Sequence, residues 1–250
     1  MRGKETGKSA LQRAISTLFV RERERRNRMG RGLFITGTDT DVGKTYVTAL
    51  LVKTLRNAGY DAGYYKAAIS GARTVAESDA GFVNRFAQIR EPEDMLLSYL
   101  YRNAVSPHLA ARMEGNPVEK DVIMKAWERV TAAYPYVTME GSGGIMCPIR
   151  HDEKAVCYLE DIIRWLRLPV LVTADAGLGT INRVVTTCEY IRRRNIPVKG
   201  IILNHWKGGV MEEDNVKMIE EITGVKVLAR VKKGDTALEI DPKTVISMYE

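Results

Sequence analysis

Nine residues, Gly37-Thr38-Asp39-Thr40-Asp41-Val42-Gly43-Lys44-Thr45, stand between a short apolar run, Gly32 to Thr36, and a stretch, Tyr46 to Leu55, whose apolar residues recur at helical spacing. Glycines at both ends let the backbone curl so that successive N–H groups face inward, a lysine follows the second glycine, and a helix starts immediately beyond. Such a turn wraps phosphate oxygens. Its N–H groups surround the anion, Lys44 reaches the terminal phosphates, the helix N-terminus adds positive potential, and the Thr45 hydroxyl is offered to Mg2+. The same turn requires a strand before it and a helix after it, the opening βα step of an α/β fold. Five residues rather than four separate Gly37 from Gly43, and two of them, Asp39 and Asp41, are acidic. Acids in a cradle for polyanions repel phosphate unless a cation faces them, which makes magnesium or an amine substrate the expected neighbour.

The rest of the chain continues the alternation. Strands are expected over Gly63 to Ala68, Tyr136 to Glu140, Pro169 to Ala174, Lys199 to Leu203 and Val225 to Ala229, with helices over about 78–89, 119–133, 155–167, 180–194 and 211–222. Strands apolar on both faces alternating with helices predict an α/β fold, a mainly parallel sheet flanked by helices in a phosphate-loop NTPase architecture. No internal repeat or low-complexity segment interrupts residues 32–250, which read as one domain.

Charge is distributed unevenly. The 250 residues carry 38 Lys and Arg against 31 Asp and Glu, net +7. Ten of the bases and three of the acids fall in residues 1–31, leaving 28 of each in the body. The excess therefore belongs to a basic leader, and the neutral body gives no reason to expect nucleic acid as a partner. The leader reads as a solvated, partly helical tail, or as upstream sequence with the working start at Met29. None of the apolar runs approaches the roughly 18 residues a membrane-spanning helix needs, so no membrane partner is expected. Three cysteines without a C-x-x-C pair suit neither a disulfide framework nor a zinc site, and a reducing, cytoplasmic location follows as the expectation.

Other candidate residues follow strands in the same manner as the loop. Lys66 precedes Ala67-Ala68-Ile69-Ser70-Gly71 at the end of the second strand, where open α/β sheets bind ligands; it is aimed at the crevice that holds Lys44, or it is a solvated strand-end lysine. Two lysines converging there suit a transferring phosphoryl group, on which negative charge builds. Glu140-Gly141-Ser142-Gly143-Gly144 places a carboxylate at a strand end, a position for an Mg2+ ligand. Asp79 offers a second carboxylate, or is simply the N-cap of a helix, and with Thr45 the three make an oxygen-rich magnesium site. Ser106-Pro107-His108 opens a helix, with His108 either a substrate contact or a structural histidine. Asn204 closes a strand where an amide can read a nucleotide base. Arg192-Arg193-Arg194 ends a helix and reads as a solvated face.

Taken in order, these segments resemble the dethiobiotin synthetases. Gly37 to Thr45 is similar to that family's lengthened phosphate loop. Tyr65-Lys66 through Ser70-Gly71, Ser78-Asp79-Ala80, Ser106-Pro107-His108, Glu140 to Gly144 and Leu178-Gly179-Thr180-Ile181-Asn182 follow in the family's order, across roughly Leu33 to Ala229. The resemblance implies an ATP-dependent cyclo-ligase of biotin synthesis that joins 7,8-diaminononanoate and CO2 through a carbamate and a carbamic-phosphoric anhydride. It implies catalytic roles for Lys44, Lys66 and Thr40, nucleotide contacts from Asp41, Val42, Gly43, Lys44, Thr45 and Asn204, and Mg2+ held by Thr45, Asp79 and Glu140. Substrate would lie against Ser70, Gly141 and Gly143, with its carboxylate on the helix start Leu178, Gly179, Thr180 and Asn182 of a second subunit, which implies a homodimer. The alternatives are a regulatory or partitioning phosphate-loop ATPase and an amide ligase for another substrate. Three positions depart from the family's usual pattern: Ala67 for a proline, expected to loosen the loop carrying Ser70; Ser142 for an alanine; and Leu228-Ala229-Arg230-Val231-Lys232 where a Leu-Gly-x-x-Pro segment helps frame the base.

Overall fold

The computed structural model describes residues 31–249. The leader assigned to residues 1–31 lies, but for Arg31, outside them. In chain order the elements are β1 (Arg31–Gly37), α1 (Lys44–Asn57), β2 (Ala62–Ser70), α2 (Asp79–Phe86), α3 (Glu93–Leu96), β3 (Leu97–Tyr101), α4 (Pro107–Met113), α5 (Lys120–Ala133), β4 (Tyr136–Gly144), β5 (Pro148–His151), β6 (Val156–Tyr158), α6 (Leu159–Leu166), β7 (Val170–Asp175), α7 (Thr180–Arg192), β8 (Val198–Asn204), α8 (Val210–Thr223), β9 (Val227–Arg230) and α9 (Pro242–Ser247).

Seven strands form one sheet in the order β3-β2-β4-β1-β7-β8-β9, and every neighbouring pair is parallel. Parallel strands need crossovers, and helices supply them on both faces, which is why the inner strands are apolar throughout rather than alternating. One apolar cluster joins Leu33 and Ile35 of β1 to Val47, Leu50 and Leu51 of α1 and Val83 of α2. The other joins Phe34, Val137 and Met139 to Trp127 of α5, Ile162 of α6, Val184 of α7 and Ile219 of α8. From β1 the chain crosses to β2 on one side; from β4 it later reaches β7 on the other. The crevice at the carboxyl ends of β1, β4 and β7 is thus where the winding direction changes, the ligand position of open α/β sheets.

The sequence expectations for β1, β2, β7, β8, β9, α5, α7 and α8 agree with these bounds to within a few residues. Three features differ. β4 continues past Glu140 to Gly144 through an irregularity in which Glu140 pairs with Ile35 but Gly144 with Gly37. β3 was not foreseen; it is an edge strand of five residues. The helix expected over 155–167 begins only at Leu159, because Val156–Tyr158 pairs instead with Pro148–His151 as an antiparallel hairpin. Asp152 sets that hairpin: its carboxylate accepts from Lys154 N and Ala155 N and binds Arg150 Nε at 2.7 Å, while Arg150 also meets Glu119 at 2.6 Å.

Beyond β9 the chain returns over α1. Tyr46 OH donates to the Asp235 carbonyl, Leu238 N donates to Thr54 Oγ1 at 3.2 Å, and Tyr249 OH meets Thr138 Oγ1 of β4 at 2.5 Å. Val231, Leu238, Val245, Met248 and Tyr249 complete the apolar cluster on that face.

Candidate active site

Gly43 stands at the head of α1 with φ of 85°, the left-handed region that glycine enters without a Cβ penalty. A Cβ there would lie 2.0 Å from Asn204 Nδ2, so the glycine also makes room for Asn204, whose Nδ2 donates to the Val42 carbonyl at 3.0 Å. Asn204, at the end of β8, is thereby fixed against the phosphate loop. Asp41 also takes a positive φ, 58°, and is exposed with Thr40 on the rim. Lys44 is buried and its Nζ donates to the Asp39 carbonyl at 2.9 Å. Burial holds its pKa below the ordinary 10.5; the Lys66 charge pushes the same way, against the attraction of Glu140.

Lys66 is the centre of the site. It is 3% exposed, and its Nζ donates to Asp79 Oδ2 at 2.5 Å and to Glu140 Oε1 at 2.8 Å. Burial disfavours its charge, but Glu140 and Asp79 outweigh burial and raise its pKa. Asp79 mirrors this: burial opposes ionisation, and Lys66 overcomes it to hold the carboxyl below its ordinary 3.8. Thr45 Oγ1 donates to Glu140 Oε1 at 2.8 Å. Three hard oxygen donors, from Thr45, Asp79 and Glu140, therefore meet around one point, a donor set that suits Mg2+. Lys66 is neither solvated nor alone, and Asp79 is not the N-cap of α2, which is Ser78.

A cavity of about 440 Å3 opens on this cluster. Thr40, Asp41, Gly43, Lys44 and Thr45 line it from the loop, Lys66, Ile69 and Ser70 from β2, Asp79 from α2, and Glu140, Ser142 and Gly143 from β4. Twelve residues from four elements, scattered over a hundred positions of sequence, thus share one wall-to-wall space.

Gly141 is absent from that lining. A Cβ on it would lie 2.9 Å from the Phe34 ring, so the glycine is required by packing of β4 on β1. Ala67 lies within β2, which runs from residue 62 to 70, and Ser142 Oγ donates to the Ala68 carbonyl at 2.7 Å, bracing β2 to β4 beside Ser70. Leu178, Gly179, Thr180 and Asn182 do not line the cavity either. They form the head of α7 at the same end of the sheet, with Leu178 84% exposed and the buried Thr180 Oγ1 without a hydrogen-bond partner. His108 also lies outside the lining; Ser106 Oγ meets its Nδ1 at 3.0 Å, and burial, with Arg112 and His151, lowers its pKa. Arg192 and Arg193 lie exposed at the end of α7, as expected of a solvated face, and Arg194 is half-buried. Arg192 donates to the Thr223 carbonyl, and Arg194 binds Glu160 at 2.6 Å and stacks on Tyr190.

Two contributors had no sequence signal. Ile69 supplies an apolar wall, and Tyr64, fully buried, donates from its phenol to Glu140 Oε2 at 3.0 Å. Period-two alternation places Tyr64 on the face of Lys66, but nothing in the sequence says that its hydroxyl meets a carboxylate 76 residues on.

Among solved structures the fold is similar to a ParA family ATPase from Chlorobium tepidum TLS (TM-score 0.50, 12% identity, 89% of this chain and 90% of that chain). It is also similar to the signal recognition particle 54 kDa protein of Aeropyrum pernix in complex with GDP (TM-score 0.53, 16% identity, 88% of this chain and 46% of that chain). The family profile described as an AAA domain matches residues 31–237. The ATP-dependent dethiobiotin synthetase BioD of Brachyspira hyodysenteriae is 47% identical over 223 residues, 89% of this chain and all of that protein. Its counterpart in Clostridium kluyveri is 42% identical over 208 residues, 82% of this chain and 86% of that protein. With identity at this level over nearly the whole body, and with the phosphate loop, Lys66 and the Thr45-Asp79-Glu140 cluster gathered at one crevice, the chain belongs to the ATP-dependent dethiobiotin synthetase family.

Proposed function

We propose that the protein closes the ureido ring of dethiobiotin from 7,8-diaminononanoate, CO2 and ATP. One amine takes up CO2 and loses a proton to become a carbamate. A carbamate oxygen attacks the γ-phosphorus, displacing ADP and forming a carbamic-phosphoric anhydride. The second amine attacks the carbamoyl carbon, expels phosphate and loses a proton. The observation that carries this reading is the convergence of two buried lysines, Lys44 and Lys66, on one cavity that Asp79 and Glu140 also line.

In this reading Lys44 holds the terminal phosphates, and Lys66 stabilises the carbamate oxygens and the charge that builds as the phosphoryl group moves. Thr40 and Ser70 lie beside them on the cavity wall, and Ile69 gives the aliphatic chain an apolar surface. Asp41, Val42, Gly43 and Thr45 shape the nucleotide loop, with Asn204 set against it to read the base. Mg2+, held by Thr45, Asp79 and Glu140, would neutralise phosphate charge. Gly143 admits the backbone of β4 to the substrate, while Gly141 acts through packing.

The substrate carboxylate belongs on the head of α7 from a second subunit, where free N–H groups and the helix dipole favour an anion. The exposure of Leu178 supports a homodimer of this kind, and sedimentation as a monomer at micromolar concentration would count against it. Residues 32–250 act as one catalytic unit, placed in the cytoplasm; among the described residues no helix is long and apolar enough to cross a membrane. Purified protein with ATP, Mg2+, bicarbonate and 7,8-diaminononanoate should release phosphate only when the diamine is present. Phosphate release indifferent to the diamine would refute the assignment and favour a nucleotide switch; release driven by a different amine would favour another ligase.

A further inference from the structure

Glu140 is 1% exposed, so both of its carboxylate oxygens must find donors inside the protein. Oε1 accepts from Thr45 and Lys66, each at 2.8 Å, on the side of the cavity. On the other side Oε2 accepts from the Tyr64 phenol at 3.0 Å. The register of the sheet makes this contact. Tyr64 pairs with Thr138 and Lys66 with Glu140, so the phenol reaches the diagonal neighbour on the same face while Lys66 takes the direct one. Apolar packing on that face would be filled equally well by phenylalanine; the hydroxyl is what packing does not require.

We propose that Tyr64 is a positioning residue of the active site: its phenol pins Glu140 with Oε1 turned toward Thr45 and the cavity, and thereby sets how tightly the site takes a divalent cation with its nucleotide. The inference rests on the reading of Thr45, Asp79 and Glu140 as the cation's ligands. Without the phenol, Oε2 is a buried acceptor with no donor. The carboxylate then gains by rotating that oxygen toward Thr45 and Lys66, which spoils the edge presented to a metal. Outer hydrogen-bond partners of this kind matter because a carboxylate with a free rotor spends part of its time facing away from the ion.

The test is Tyr64→Phe, which removes one oxygen and keeps the ring. Mn2+ binding is read by electron paramagnetic resonance in the presence of a non-hydrolysable ATP analogue, with no diamine and no turnover. Mn2+ should bind about 10- to 100-fold more weakly to the variant, the loss typical of removing an outer partner of a metal ligand. Affinity for the nucleotide alone, measured in EDTA, should change by less than about twofold, since the phosphate loop is untouched. Mn2+ affinity equal to that of the parent protein would overturn the proposal. In a Glu140→Gln background, adding Tyr64→Phe should have almost no further effect on Mn2+; a full-sized further loss would show that Tyr64 acts through general packing and would equally overturn it. Failure of the unsubstituted protein to bind Mn2+ with nucleotide is a different result, one that refutes the ligand assignment itself.

Discussion

Lys66→Met separates the two tasks the structure gives this lysine. Methionine keeps the stem packed and removes the charge, so Asp79 and Glu140 lose their shared cation. Their losses are unequal. The Asp79 side chain is 46% exposed and can recover water, whereas that of Glu140 is sealed, at 0%, and keeps only its neutral donors Thr45 and Tyr64. Breaking a buried pair by removing one partner costs about 3–5 kcal/mol, and with one of the two carboxylates rehydrated the cost here falls near 3 kcal/mol. For a chain of this size that lowers Tm by roughly 6–12 °C. Catalysis should fall further, by about 10²- to 10³-fold in kcat for diamine-dependent phosphate release, as for the loss of one preorganised transition-state charge. Adding Glu140→Gln removes the stranded charge and should return much of the lost stability without returning activity. Thermal melts and single-turnover phosphate release on the parent, Lys66→Met and the double variant decide the matter. A Lys66→Met protein melting within about 2 °C of the parent would refute the buried-pair argument, and near-normal kcat would refute the catalytic role.

Gly43→Ala puts a Cβ 2.0 Å from Asn204 Nδ2 at a φ of 85°. The left-handed backbone costs about 1–2 kcal/mol and displacing Asn204 from the Val42 carbonyl about 1 more. Lower Tm and a raised KM for ATP should appear together; a normal KM would show that Asn204 does not touch the nucleotide. Asp152 is held at about 2, first by its hydrogen bond to Arg150, against an ordinary 3.8. Because the folded value is depressed, its contribution to stability is fully present above pH 3.8 and is lost as pH falls toward 2. The difference in Tm between the parent and Asp152→Asn should therefore be constant near neutrality and shrink below pH 3.8; a difference unchanged at pH 3 would disprove it.

The first half of the site was legible because it is written locally. Gly37 to Thr45 carries its own strand, turn and helix start, and the apolar runs of β1, β7 and β8 announce a buried parallel sheet. Lys66, Asp79 and Glu140 were nameable one by one, yet their clasp was not, since it joins Lys66 to residues 13 and 74 positions further along the chain. Tyr64 looked like one more apolar strand residue. The β5–β6 hairpin was hidden because its apolar positions fit helical spacing too, and one of the contacts that anchors it, Arg150 to Glu119, reaches the distant start of α5. Nothing about Ser142 in the sequence shows what its hydroxyl does, because its bond to the Ala68 carbonyl lies across the sheet.

The return of the chain over α1 bears on how the protein is made. All seven sheet strands have been synthesised by Arg230, but the apolar cluster around α1, the helix that begins at the phosphate loop, is completed only by Val231, Leu238, Val245, Met248 and Tyr249. Tyr249 then bonds to Thr138, a partner 111 residues earlier in the inner strand β4. A nascent or prematurely terminated chain can thus hold every strand of the sheet and still expose a core surface, and contacts of such long range close late. Completion of the core around the helix that cradles phosphate therefore waits on residues 231–249, and products cut short after β9 leave part of that core open to chaperones and proteases.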